Sequence, residues 1–368
     1  MIRRSTALRS VAVATAATAL AALTACSSPE ADASAGGSST GSAISAERCT
    51  QNEAAGTVTY LTGYQYQASA SILEIIAADE LGYFDDLCLD VEIQAGTGDT
   101  SSNAQLVAAG TVQFTAVSQQ DLLLAADNGI DMVGISSYSN AGLEILMTMP
   151  EITDLTELEG TLLGQKGALP ASVAAMLDEA GADVASIEQV TVGYDPSVLP
   201  RGQVDSLTGF ISNEPNLLEA AGEEVTVWRP YDYGVPGSLG ALAANREFAA
   251  EHPTVVEDFL RAALHAFDHC RDAAEECVGF AAELSGEGYD AGHNVAIWNT
   301  EVDVIDETAV ESTVLGAIDE QNVTALNAML AEYDLVESPL SDDEALALFD
   351  GSYVQSVYAD GELVWPAP

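Results

Sequence analysis

The sequence predicts an α/β protein of two α/β units facing a shared cleft. Three observations carry this reading. Strand-like and helix-like segments alternate, the alternation restarts near residue 150, and polar or aromatic turns follow several strand-like runs. Alternating strands and helices build mostly parallel sheets with helices on their faces, and ligands settle beyond the carboxyl ends of such strands.

In the first unit, "VTYLTGY" (58–64) reads as a strand and "SILEIIAADELGYF" (71–84) as a helix with apolar residues at helical spacing. "CLDVEIQAG" alternates, with Leu89, Val91 and Ile93 on one face. "SSNAQLVAAG" is a short helix ended by Gly110. "VQFTAVS" is a strand, "QQDLLLAADNG" a helix stopped at Asn128-Gly129, and "DMVGISSYS" a strand.

The second unit opens with "DLTELEG", a helix capped by Asp154. "TLLGQKG" is a strand and turn, "PASVAAMLDEAG" a helix with Pro170 at its start, and "EQVTVGY" a strand. "QVDSLTGF" is a strand, "EPNLLEAAG" a helix and "EVTVWRPYDYG" a strand. From "SLGALAANREF" onward the pattern reads as largely helical. Four polar segments then share the strand-end position: "GYQYQASAS" (63–71), "SQQD" (118–121), "QKGALP" (165–170) and "GFISNEP" (209–215).

The chain start indicates export. "MIRRSTALRS" is basic, and the small apolar run after it is too short to span a bilayer comfortably. Leu23-Thr24-Ala25-Cys26 resembles a bacterial lipobox, which makes residues 1–25 a signal peptide and Cys26 the lipidated first residue of the mature chain. Residues 26–56, rich in serine, glycine and acid, read as a flexible tether. The expected location is the extracytoplasmic face of the cell membrane, held by a lipid anchor.

The 368 residues carry 58 Asp+Glu against 10 Lys+Arg. Three arginines precede Cys26, and Lys166 is the single lysine. Such a chain repels nucleic acid, whose binding runs on Lys and Arg. With 48% hydrophobic residues in clear patterns it is nonetheless built to fold. The acid excess fits a saline habitat or a demand for solubility.

Outside the cytoplasm, Cys49, Cys88, Cys270 and Cys277 suggest disulfides rather than a metal site. Of three possible pairings the most local is expected, Cys49–Cys88 and Cys270–Cys277. Seven helical residues span about 10.5 Å, beyond disulfide reach, so the second bridge requires a helix break near Asp272-Ala273. Two free thiols on an unbroken helix are the alternative. His265 and His269, four apart, have the spacing for a metal; a solvated face beside Arg261 and Asp268 is preferred, and neither metal nor cofactor is expected. "GTGDTSS" (96–102) lacks the lysine of a nucleotide loop, and no catalytic constellation stands out.

"IIAADELGYFDDLCLDVEI", "QLVAAGTVQFTAVSQQDLLLAADNGIDMVGI" and "DLTELEGTLLGQKG" resemble the solute-binding proteins of ABC importers. The nearest branch binds thiamine pyrimidine precursors, riboflavin and sulfonates. The resemblance runs from about Val58 to the helix after Pro253. It implies a two-lobed type II periplasmic-binding fold, with two mixed sheets flanked by helices and a ligand cleft between the lobes. Residues 57–148 then form lobe 1, 149–235 lobe 2, and 236–368 complete lobe 1 and add C-terminal helices. It also implies a monomer that takes up a small-molecule solute and delivers it to a membrane permease. Cytosolic relatives make thiamine pyrimidine by consuming their own histidine; their cysteine-rich motif is absent here, so an enzyme is not expected.

Few cations are available to hold an anion such as an alkanesulfonate, taurine or nitrate. Aromatic rings and neutral hydrogen-bonding groups are better supplied, and these stack on and read flat solutes. The candidate ligand-binding residues are Tyr64, Gln65, Tyr66, Ser69, Ser118, Gln119, Gln120, Tyr138, Lys166, Phe210, Asn213, Glu214, Tyr231 and Tyr233. Tyr64 and Tyr66 are expected on one strand face. Asn213 is expected either to cap the next helix or to meet the ligand. Thiamine-precursor binders of this family often carry Asp-Trp where this chain has Thr62-Gly63, which leaves room for a larger ring and keeps riboflavin open beside a pyrimidine.

Overall fold

A computed structural model describes residues 43–310 and 313–368. The expected signal peptide, the lipidation at Cys26 and the tether up to residue 42 lie outside the described residues. Two five-stranded sheets organise the fold. The first contains β1 (Thr57–Leu61), β2 (Asp90–Gln94), β3 (Phe114–Val117) and β4 (Val133–Ser136). The second contains β5 (Glu144–Thr148), β6 (Leu162–Gln165), β7 (Glu188–Thr191), β8 (Ser206–Phe210) and β9 (Thr226–Trp228). The chain then returns to supply β10 (Ala241–Ala244) to the first sheet.

The strand orders are β2-β1-β3-β10-β4 and β9-β5-β8-β6-β7. In the first sheet, β2, β1 and β3 run parallel, while β10 is antiparallel to both β3 and β4. In the second, β8, β6 and β7 run parallel, and β5 is antiparallel to β8 and β9. Both sheets are therefore mixed, as the family resemblance implies and not as strand–helix alternation alone suggests. Each antiparallel strand sits next to a place where the chain changes sheets. "ALAA" at β10 was expected to belong to a helical region. It contains no β-branched residue, and its strand state follows from pairing on both sides within a fully buried position.

Most of the expected helices appear, but the run at 71–84 is two helices, Leu73–Glu80 and Tyr83–Asp86, parted at Gly82, which lies at φ 76°. Helices flank the sheets at α2 (Leu73–Glu80), α3 (Thr100–Ala108) and α4 (Gln119–Asp127). Ser118 and Asp121 form a capping box at the start of α4. Asp154 caps a single 3-10 turn, Leu155–Leu158, in place of a longer helix. Further helices are α5 (Ala171–Glu179), α6 (Glu214–Ala220), α7 (Pro253–Asp272), α8 (Ala274–Ser285), α9 (Ala291–Glu307) and α10 (Glu320–Glu332). The core of the first sheet centres on α7, whose Phe259 stacks on Phe114 at 4.2 Å and on Phe84 at 5.4 Å. A second core joins Leu146, Leu163 and Met176 to Val323 and Leu326 of α10.

The residues before β1 depart from the flexible tether expected to reach residue 56. Ala46–Glu53 is a helix, α1, capped by Ser45. Arg48 reaches Glu257 at 2.7 Å and the fully buried Asp258 at 2.7 Å, and Asn52 donates to Asp258 at 2.7 Å. The Cys49–Cys88 disulfide fastens the same helix to the segment before β2. Tertiary contacts with residues more than 200 positions away thus override a composition typical of a leash. The second bridge, Cys270–Cys277, also forms. Its helix breaks at Ala273, which leaves the helical region at φ −131° and ψ 45° and brings the Cα atoms to 5.7 Å.

The two segments that pass between the sheets run side by side. Tyr138 donates its N–H to the Leu239 carbonyl at 3.0 Å, and Gly237 donates to the Asn140 carbonyl at 3.0 Å. A Cβ added at Gly237 stands 2.3 Å from the backbone nitrogen of Gly142. Gly237→Ala is expected to destabilise the protein by about 1–3 kcal/mol, the range for forced overpacking. Gly279→Ala, in α8 with open space around it, is expected to stabilise by up to about 1 kcal/mol. Chemical denaturation of the two variants measures both; equal effects contradict the close crossing.

Candidate ligand-binding site

The three parallel strands β8, β6 and β7 place their carboxyl ends on one edge of the second sheet. Phe210 ends β8 and is about half exposed (48%). Lys166 follows β6, and its ammonium is ion-paired with the buried carboxylate of Glu214, at the start of α6. Burial lowers the Lys166 pKa. The other Glu214 oxygen accepts the Phe210 N–H at 2.7 Å. One buried carboxylate therefore holds both the only lysine and the backbone of the strand end that carries Phe210. Four predicted residues meet here, because Asn213 precedes Glu214. Asn213 makes no cap hydrogen bond; its Oδ1 pairs with His293 Nε2 at 2.9 Å.

On the first-sheet side, β1 stops at Leu61, so Tyr64 and Tyr66 do not share a strand face as expected. Tyr64 and Gln65 pair with Gly96-Thr97, and Gln65 turns the chain at φ 48°. That turn leaves Tyr64 exposed and directs Tyr66 against the first core. Buried Thr62 secures the turn, accepting the Gly96 N–H at 2.9 Å and donating to the Gln65 carbonyl.

A residue that sequence reasoning missed joins the two sides. Glu301, on α9, is 1% exposed. It accepts from the Ser69 hydroxyl at 2.7 and 2.9 Å, the Ala70 N–H at 2.7 Å and the Ser212 hydroxyl at 2.8 Å. The turn that bears Tyr64 and the strand end that bears Phe210 thus share one carboxylate. Its signal was present: Glu301 falls four residues from both Ile297 and Ile305, on the buried stripe of its helix.

The remaining predicted residues are dispersed. Ser118 serves the α4 cap. Gln119 is fully buried; its Oε1 accepts from Asn322 at 2.8 Å, while its Nε2 has no partner among the described residues. Gln120 is half-buried. Tyr138 is buried and donates to Glu74 at 2.8 Å, so it faces the first core. Tyr231 lines a separate cavity of about 260 Å³ with Asn140, Asp319 and Asn322, beside the crossovers. Tyr233 packs against the second core. Each of the seven Lys and Arg side chains among the described residues contacts a carboxylate.

The NMT1/THI5 like family model matches residues 69–277, more than half of the chain. The chain belongs to that family. A formylaminopyrimidine-binding protein from Halalkalibacterium halodurans is 27% identical over 212 residues, 55% of this chain and 64% of that relative's length. Among solved structures, the periplasmic sulfonate-binding protein SsuA from Methylobacillus flagellatus has a TM-score of 0.62 at 13% identity, covering 82% of this chain and 93% of that one. SsuA from Escherichia coli, an aliphatic sulphonate binding protein, has a TM-score of 0.57 at 13% identity, covering 78% and 91%. The fold is the two-lobed type II periplasmic-binding architecture. No helix among the described residues is long and apolar enough to cross a membrane.

Burial pushes the Glu301 carboxyl up to about 7, partly offset by its hydrogen bonds to Ala70, Ser69 and Ser212. Burial likewise raises Glu74 to about 8, against the bonds from Tyr138 and Ser71. A carboxyl raised in the folded state stabilises fully below its unfolded value and loses that contribution as pH rises through the folded value. Stability is therefore expected to fall between about pH 4.5 and 8. Glu301→Gln removes one of the two titrations. Between pH 5 and 8 the parent is expected to lose up to about 3 kcal/mol more than this variant. Urea unfolding at both pH values tests this, and a pH-independent difference refutes it.

Proposed function

We propose that the chain is the extracytoplasmic solute-binding lipoprotein of an ABC importer, which captures a small flat heteroaromatic solute and delivers it to a permease. A thiamine pyrimidine precursor or riboflavin is the preferred class. One observation supports this most: the strand end that carries the exposed Phe210 is bonded through its N–H to the carboxylate of a buried Glu214–Lys166 pair, while the other cations among the described residues are held by carboxylates elsewhere. Stacking on Phe210 and Tyr64 supplies area, and Glu214, with two acceptor oxygens, reads donor groups on the solute edge. The formylaminopyrimidine-binding relative supports the same class.

In this reading the first sheet with its helices forms one lobe and the second sheet the other; because β5 starts at Glu144 and belongs to the second sheet, the boundary falls before the expected residue 149. The paired crossovers act as the hinge, and a ligand favours the closed form by its extra contacts there. Lipidation at Cys26 holds the protein at the outer face of the membrane. Mass spectrometry of the native protein is expected to find a diacylglyceryl-modified Cys26 at the mature N-terminus; cleavage elsewhere overturns the anchor.

A thermal-shift screen separates solute classes. At ~100 times its dissociation constant, a true ligand stabilises by roughly 2.7 kcal/mol. Formylaminopyrimidine, thiamine or riboflavin is expected to respond, and taurine and nitrate are not. Tyr64→Ala and Glu214→Gln are expected to weaken the responding compound at least about tenfold, equivalent to about 1.4 kcal/mol. A response to taurine or nitrate alone replaces this proposal with the anion reading.

A further inference from the structure

The heteroaromatic reading leaves one exposed ring unexplained. Tyr194, three residues beyond the end of β7, is 84% exposed, more than any other large apolar or aromatic side chain among the described residues. Its loop is pinned on both sides. The Val192 N–H donates to the Gln165 carbonyl at 2.9 Å, and Asp195 accepts the Ser197 N–H at 3.0 Å. Between them lie only Gly193 and Tyr194, and a Cβ added at Gly193 meets nothing within 4 Å.

The ring does not point at random. Its centroid lies 5.7 Å from Lys166 Nζ, the ammonium that Glu214 holds. Gln165, next to Lys166, is 8% exposed, and its Oε1 has no partner among the described residues. A buried, unpartnered acceptor is costly unless a solvent or ligand donor meets it. These groups occupy neighbouring strand ends in a fixed order: Phe210 at the end of β8, Gln165 at the end of β6 with Lys166 just after it, Tyr194 after β7. With β6 between them, β8 and β7 lie about 9.6 Å apart, two strand spacings. A flat ring sandwiched between two side chains needs about 3.5–4.0 Å on each face. Backbones that far apart can carry two rings with one flat solute between them when the side chains turn toward each other.

We infer that Tyr194 is a specificity-determining residue that covers one face of the bound heterocycle, opposite Phe210, while Gln165, Lys166 and Glu214 meet the ring's edge. The inference rests on the heteroaromatic reading above. It selects a planar solute with hydrogen-bonding groups around its rim.

Calorimetric titration of the full chain with formylaminopyrimidine, thiamine and riboflavin tests it. With the compound that binds the parent most tightly, Tyr194→Ala is expected to weaken binding about tenfold or more. Tyr194→Phe is expected to stay within about threefold of the parent. The melting temperature of ligand-free Tyr194→Ala is expected to match the parent, because the ring is exposed. Tyr64→Ala and Phe210→Ala are measured in parallel. If these two lose affinity while Tyr194→Ala binds like the parent, the role of Tyr194 is overturned and the heteroaromatic reading stands. If Tyr194→Phe loses as much as Tyr194→Ala, the hydroxyl and not the ring face is used, and the inference fails. If none of the three compounds binds the parent, the heteroaromatic reading falls and the inference falls with it.

Discussion

The buried carboxylate of Glu301 is the constraint on which the site depends. It takes donors from Ser69 and Ala70, at the turn after β1, and from Ser212, just beyond β8. Those two segments belong to different sheets and carry the exposed rings Tyr64 and Phe210. Burying a carboxylate without donors is prohibitive, so the two sides are drawn to it together. Two of its partners are serine hydroxyls, which can rotate from donating to accepting. A proton can therefore enter or leave near neutral pH while the same atoms stay in contact. The Ala70 N–H cannot reverse, and it fixes which oxygen stays unprotonated.

Local pattern made much of the architecture legible. Period-2 and helical runs located β1, β2, α2 and α4. The distance argument for Cys270 and Cys277 located a helix break, and the chain breaks at Ala273. What local pattern misses is set by distant partners. The helix Ala46–Glu53 looks like tether because its fixing contacts, Asp258 and Cys88, lie far along the chain. A short apolar run such as "ALAA" fits a strand or a buried helix equally until its neighbours are known.

The candidate site shows the same division. Strand ends locate segments, which is why Phe210, Asn213, Glu214 and Lys166 gather. Strand ends do not say which way a given ring turns. Tyr64 and Tyr138 both follow strands, yet one lies exposed and the other donates to a buried glutamate in the core. The difference lies in the backbone: Gln65, at φ 48°, swings the chain out after Tyr64, whereas Tyr138 is clamped by its N–H to Leu239 on the neighbouring crossover. Tyr194 was passed over for a related reason. It lies in a loop after the outermost strand of its sheet, and only the order β8-β6-β7 sets it beside Lys166.

Charge economy connects the site to the rest of the molecule. A formal charge of −48 repels anions at long range, and salt screens that field beyond about 8–10 Å. Within the fold, the scarce cations are used locally: Arg48 and Arg261 neutralise Asp258, and Arg229 spans Asp232 and Glu307. Lys166 and Arg229 both follow strands of the second sheet, and both charges are taken: Lys166 by buried Glu214, Arg229 by Asp232 and Glu307. An anionic solute that took the Lys166 charge would have to break that buried pair and leave one carboxylate without its counter-ion, which is strongly unfavourable. A neutral ring can keep the pair intact and use the lone pairs of Glu214 that the ammonium leaves free. In the proposed heteroaromatic reading, selectivity against anions rests on how few cations the described residues hold and on the carboxylates that already pair with them.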